Sequence, residues 1–248
     1  MDTMVRTETS PPRADWHAVL HGAGIAVVAL LAIAAGGLRD LEAAALTVGG
    51  IAALALLRWR TGLVGVVGLG LLAANVAFWM APGAVSNMSH GEGLWETALP
   101  SLLTVASVTT VVSAIGDLIA RRGPAGRTAA KALAVTAVVA AIAALAGSAL
   151  TATDHGVQGR PGDLTLVTED VKFSPERLEA AAGNVAVFVS NKDLFWHTFT
   201  IKELDVNLNV PVGGERRIAF DAPAGTYRVV CAIPGHTKAG MEGKLTVH

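Results

Sequence analysis

The run Cys231-Ala-Ile-Pro-Gly-His236-Thr-Lys-Ala-Gly-Met241, followed by Glu-Gly-Lys-Leu-Thr-Val-His248, decides how the rest of the chain is read. It places a thiol, an imidazole and a thioether on one short loop. Pro234-Gly235 bends the chain between the first two, and Gly240 frees the backbone just before the third. A soft thiolate with imidazole and a weak axial thioether selects copper and holds it in a trigonal site suited to one-electron transfer. That set needs a second imidazole. His197 supplies it from Asn191-Lys-Asp-Leu-Phe-Trp-His197-Thr-Phe-Thr-Ile201, where the residues after the histidine alternate as a strand does. The candidate metal ligands are therefore His197, Cys231, His236 and Met241.

Cys231 is the only cysteine. A disulfide within the chain is impossible, and a centre bridged by two thiolates is excluded, so the site holds a single copper. Zinc sites draw on several Cys or His at close spacing, which a His…Cys-x4-His-x4-Met order does not match. The plainer reading of Cys231 is a small buried hydrophobe; its place at the end of an alternating strand, with His and Met at fixed steps after it, argues for ligation. With four protein ligands no position is left open for a substrate, so an electron carrier rather than an enzyme is expected.

These residues carry a family resemblance. Residues 163–248 resemble the blue-copper cupredoxins, the plastocyanin and azurin superfamily, and the Cys-x4-His-x4-Met spacing is most similar to the auracyanins. Phe173-Ser-Pro-Glu-Arg-Leu178, the Asn191-Lys-Asp193 lead into His197 and the closing Met241-Glu-Gly-Lys-Leu-Thr-Val247 strand add to it. Thr198 departs from the pattern, since the residue after the first histidine is often Asn in this superfamily. The resemblance implies that His236 lies on an exposed loop as the point of electron exit, with Ile233, Pro234 and Ala239 as an apolar docking patch.

The remainder of the chain is of another kind. Of 248 residues 52% are hydrophobic and only 16% charged, far from a soluble average. Residues 1–151 hold 9 Lys/Arg and 8 Asp/Glu, mostly outside apolar runs; residues 152–248 hold 10 and 12. A membrane part and a soluble part follow. The net charge of -1, without a clustered basic face, argues against nucleic acid as a partner.

Residues 1–15 read as a disordered tail. A membrane domain of about five transmembrane helices spans 16–150, with apolar stretches near 16–38, 41–57, 61–80, 98–120 and 129–150. Ala32-Ile-Ala34 resembles a cleavage site, but the apolar length before it favours an uncleaved helix. The tail and the connections near 58–60 and 121–131 hold eight Lys/Arg, against Arg39 alone on the other side. By the positive-inside rule the C-terminal domain then lies on the periplasmic or extracellular side of the cytoplasmic membrane. Trp16 and Trp59 are expected at the inner face and Trp79 and Trp95 at the outer, as an aromatic belt. His17 and His21, one helical turn apart, read as interfacial, and Asp117 as a charge near the inner helix end.

Residues 151–163 form a Gly-rich flexible linker. From Leu164 short alternating segments separated by turns predict a small antiparallel sandwich over 164–248, and the cupredoxin resemblance implies Greek-key connections. Its strands are expected at 164–169, 185–190, 197–201, 216–221, 225–231 and 243–248, with Val206 to Val212 as a further edge. The fold class is thus an all-α transmembrane bundle followed by an all-β cupredoxin sandwich. The function expected is a membrane-anchored, mononuclear type I copper protein passing single electrons to redox proteins at the membrane surface, with no small-molecule substrate. Copper capture, delivery or sensing is the rival. Ladders of intramembrane Met, Cys or His would favour it, and only Met80 and Met88, with His90 nearby, hint at one.

Overall fold

The computed structural model describes residues 12–58, 62–90, 92–121, 127–151 and 157–248. The tail up to residue 11 and Trp59 lie outside them. Five helices come first: α1 (Pro12–Leu38), α2 (Leu41–Leu56), α3 (Leu63–His90), α4 (Leu94–Ala120) and α5 (Arg127–Thr151). All except α2 are long and apolar enough to cross a membrane. At 1.5 Å per residue the 16 residues of α2 cover about 24 Å, short of a hydrocarbon layer of about 30 Å. Its contacts nevertheless put its two ends at opposite ends of the bundle. Asp40, its N-cap, meets the C-terminal domain, whereas Leu57 lies beside Gly62 and Gly65 at the start of α3.

The 81–97 segment, expected as a loop, is mostly helix. α3 runs through Pro82 to His90 and α4 begins at Leu94. Their 28 and 27 residues give about 40 Å each, so both are longer than a hydrocarbon layer is thick. Gly93 and Glu96 start α4: the Gly93 N–H donates to Glu96 Oε2 at 3.1 Å, as in a capping box.

Two expectations at the other end of the bundle are corrected. Asp117 is fully buried, with Arg121 Nε 2.8 Å and His17 Nδ1 3.4 Å from its oxygens. Burial leaves such a charge no solvent, so neighbours on α1 and α4 supply its partners. Trp16 is not a belt residue: it is 8% exposed and lies so close over Gly116 that a Cβ there would come within 2.2 Å of its ring.

The C-terminal domain has two sheets. β1 (Leu164–Glu169), β2 (Lys172–Ser174), β4 (Gly183–Asn191) and β7 (Glu215–Ala222) form one, in the order β2-β1-β4-β7. β3 (Arg177–Ala180), β5 (His197–Ile201), β6 (Val206–Val210), β8 (Gly225–Val230) and β9 (Glu242–Val247) form the other, in the order β3-β9-β8-β5-β6. The sandwich is mixed rather than wholly antiparallel, because β1 pairs with β4 and β3 with β9 in parallel. Alternation in β4 turns Val185, Val187 and Val189 inward, where they meet Phe199, Ile201 and Leu245. Cys231 and Met241 belong to that same core. The second half of the linker is not loose: Asp163 accepts both Nε and Nη2 of Arg217, each at 2.8 Å, and Gly159 lies against Phe188.

The domain sits on one end of the helix bundle, where Asp40, Glu92 and Glu96 lie. Leu194, Phe195 and Val212 share one buried apolar cluster with Val27, Leu31, Met80 and Leu103 of the bundle. Burying each such side chain is worth roughly 1.5–3 kcal/mol. The Leu194 N–H donates to Asp40 Oδ2 at 2.7 Å, and Arg216 lies between Glu92 and Glu96, 2.9 Å from the latter. Gly214 is required at this seam, since a Cβ there would lie 2.8 Å from Glu96 Oε1 and 2.6 Å from Pro211.

Candidate metal centre

Three of the four ligand candidates sit where a strand ends at the bundle side of the sandwich, and His236 lies on the loop between two of them. His197 opens β5, Cys231 directly follows β8, and Met241 directly precedes β9. The loop between the last two is tied by its own backbone. Thr237 Oγ1 donates to the Cys231 carbonyl at 2.7 Å, Met241 N–H to the His236 carbonyl at 3.0 Å, and Cys231 N–H to the Met241 carbonyl at 3.2 Å. Gly235 and Gly240 have φ of 95° and 101°, a region that an L side chain resists.

Nδ1 of both imidazoles faces the sulfur, His197 at 3.9 Å and His236 at 3.6 Å from Cys231 Sγ. All three residues are buried. Among the described residues they are the one group of three or more His, Cys or carboxylate side chains close enough to share an ion. Metal distances of about 2.0–2.3 Å to N and S, as for zinc, give an N···S edge of roughly 3.8 Å at 120°. The two observed edges match this value, so the donors stand ready for one trigonal ion, and thiolate with two imidazoles suits copper. Met241 is fully buried in the adjoining core, with its backbone bonded to both Cys231 and His236.

A carboxylate fixes the first imidazole. Asp193 Oδ2 lies 2.7 Å from His197 Nε2, which leaves Nδ1 for the metal, as a neighbour behind a ligating histidine does. Asp193 is itself held by the N–H groups of Asp170 and Val171. Burial raises its carboxyl, but the bonds from His197 and from these amides outweigh it and hold it below the ordinary range. Burial also lowers His197, and Asp193 and Cys231 together raise it above its usual value. Burial pushes the Cys231 thiol up; hydrogen bonds from His197, His236 and the Thr198 N–H prevail and bring it to about 6. A site that favours thiolate before metal arrives lowers the cost of losing that proton.

Thr198 does the work expected of a polar residue after the first histidine. Its N–H approaches Cys231 Sγ at 3.5 Å, and its hydroxyl accepts the Ala232 N–H at 2.7 Å. Asn191 Nδ2 donates to the carbonyls of Phe195 and Pro211, and its Oδ1 accepts Thr168 Oγ1 and the Asp193 N–H. The Asn191-Lys-Asp193 stretch, quoted above only as a resemblance, thus builds the frame behind His197. Periodicity gave no sign of this, because the contacts run to β1 and to the β6–β7 turn.

One expectation fails. The loop carrying His236 is exposed at Pro234, Gly235 and Ala239, but the imidazole is only 6% exposed. Trp79 of α3 lies against it, ring centroids 6.4 Å apart, and packs in turn on Phe195 at 5.6 Å. Trp79 therefore faces the metal site. Trp196 packs against Gly83. Met80 is buried in the apolar seam and Met88 lies beside Gly147, so these two methionines serve packing.

With this geometry in view, the comparisons are direct. Residues 135–247 match the family described as Cupredoxin-like domain. Reduced auracyanin from the photosynthetic bacterium Roseiflexus castenholzii is similar at 19% identity and a TM-score of 0.33, over 36% of this chain and 99% of that one. Auracyanin B is similar at 22% identity and 0.31, over 37% and 93%, and a reduced amicyanin variant at 18% and 0.30, over 37% and 87%. No curated protein matches the sequence. The C-terminal part carries a cupredoxin-like domain, and its His197, Cys231 and His236 group fits one copper ion. It follows a bundle of five helices, four of them apolar enough to span a membrane.

Proposed function

We propose that this protein is a single-electron carrier fixed at the outer face of the cytoplasmic membrane. His197, Cys231 and His236 would hold one copper, with the Met241 thioether as a fourth ligand. One observation carries the reading: a buried thiol with two Nδ1 atoms at 3.6 and 3.9 Å. Bound there, copper supplies one-electron chemistry between Cu(I) and Cu(II). The chain's own residues fix the geometry for both states, Asp193 by orienting His197, Thr198 by bonding the loop, and the sandwich core by excluding water. A buried site with little freedom to rearrange suits rapid electron exchange and leaves no room for substrate ligation.

The excess of Lys and Arg at the end of the bundle away from the copper domain supports the outer placement. Partners are redox proteins or carriers at the membrane, since the domain is seated on the helices. The test is a redox titration of the copper-loaded full chain, with a one-electron Nernst slope expected and a shifted potential in Met241→Leu. A centre that cannot be cycled reversibly would instead favour copper storage or delivery.

A further inference from the structure

The loop that carries Cys231 and His236 borders the bundle on two sides, and the bundle treats them differently. The His236 edge is closed by Trp79, as described above. The docking face that holds it there includes Arg216 between two glutamates and the Asp40–Leu194 bond, so the cover is part of the assembled molecule. The side of the ligand loop at Ala232 is open. Beside it lies a cleft of about 310 Å³, walled by Ser86 of α3, by Ala232, Ile233 and Pro234 of the ligand loop, and by Trp196 and Asn209.

The walls of this cleft are mostly apolar, with an indole on one side. Both Nδ2 and Oδ1 of Asn209 are buried and lack a protein hydrogen-bond partner. An amide without partners is costly, and here one donor and one acceptor stay unpaired in the wall of the cleft. The volume suits a single ring system, at the small end of ligand sites. The level is also informative. α3 is longer than the hydrocarbon layer is thick, so Ser86, near its end, stands at the headgroup region. The exposed Phe78 and Trp95 on the outer parts of α3 and α4 are aromatic side chains of the kind found at that level.

We propose that this cleft binds a hydroquinone-class reductant dissolved in the bilayer. Its ring lies against Trp196 and an oxygen bonds the Asn209 amide, while its apolar tail stays in lipid. The proposal rests on the copper-carrier reading above and departs from the expectation that no small molecule is used. Direct ligation is not needed, because an electron can enter through Ala232, the residue bonded in sequence to Cys231. Each hydroquinone gives up two electrons and two protons, one electron to each of two Cu(II)-loaded chains, or to one chain reoxidised by its partner in between. It leaves as quinone, and the protons pass to water at the outer face.

The test uses the full chain in lipid nanodiscs. A short-tailed benzoquinone is titrated into copper-free protein while tryptophan fluorescence is followed, with empty nanodiscs as reference. Saturable quenching is expected, weakened at least tenfold by Asn209→Leu and by Ile233→Trp, which fills the cleft from its loop side. In copper-loaded protein, both substitutions are expected to cut the rate of bleaching by an alkyl hydroquinone at least tenfold relative to the rate with aqueous ascorbate. Ile233→Trp leaves the buried amide in place, so it decides the case should Asn209→Leu misfold. Quenching that never saturates, or that neither substitution changes, overturns the cleft site even with a normal copper spectrum. Absence of that spectrum in the unsubstituted protein would overturn the carrier reading instead, and the copper-free titration would still judge the cleft.

Discussion

Asp193 shows how much of the centre depends on a residue that never touches the metal. Its carboxylate holds His197 by Nε2 and is pinned by two amides of the β1–β2 turn. Asp193→Ala frees the ring to rotate and to change tautomer. Copper affinity is expected to fall about 10–100-fold, measured by competition with a chelator of known affinity. A second residue-scale prediction concerns acid. The hydrogen bonds from Arg217 lower the Asp163 carboxyl from 3.8 to about 2 in the folded chain. A depressed carboxyl contributes stability that is complete above its unfolded pKa and is lost as pH falls through the folded one. The gap in Tm between the unsubstituted protein and Asp163→Asn is therefore expected to be constant above pH about 4 and to close towards pH about 2. A gap that stays open at pH 2 would mean that the pair does not form.

At the scale of elements, the seam between α3, α4 and the sandwich governs access to copper. Trp79→Leu removes the cover over His236, and a chelator is expected to strip copper several times faster from this variant than from the unsubstituted protein. Equal rates would show that the imidazole edge is not the controlling opening. Arg216→Gln leaves Glu92 and Glu96 facing an uncharged group in a largely buried seam. Breaking a buried pair from one side costs roughly 3–5 kcal/mol. The Leu194 amide, bonded to Asp40 across the same seam, reports it: its hydrogen exchange is expected to speed up by about 10²–10³-fold. Unchanged exchange would mean that the apolar cluster alone holds the domain.

For the whole molecule, what the sequence disclosed follows the range of the interactions. Cys231, His236 and Met241 lie within eleven residues on one loop, and donor chemistry identifies them without any fold. Strands such as β1 and β4 were legible because one face is buried more deeply than the other and alternation records it. β2 and β3 were not, since three and four residues are too few to show a period. The helical ends of α3 and α4 were hidden because Pro82 and the polar residues near 86–96 read as loop. The seat of the copper domain on the bundle left no local trace: Trp79, Asp40, Glu92 and Arg216 each looked like ordinary belt or surface residues, and only their meeting gives them a role. The central claim is that this chain holds one type I copper. It is tested most directly by the visible absorption and electron paramagnetic resonance of the full chain in detergent with Cu(II), beside Cys231→Ser. An intense thiolate-to-copper band, bleached by a mild reductant and absent from Cys231→Ser, is the expected result. A colourless protein, or copper binding with the same spectrum in Cys231→Ser, would contradict it.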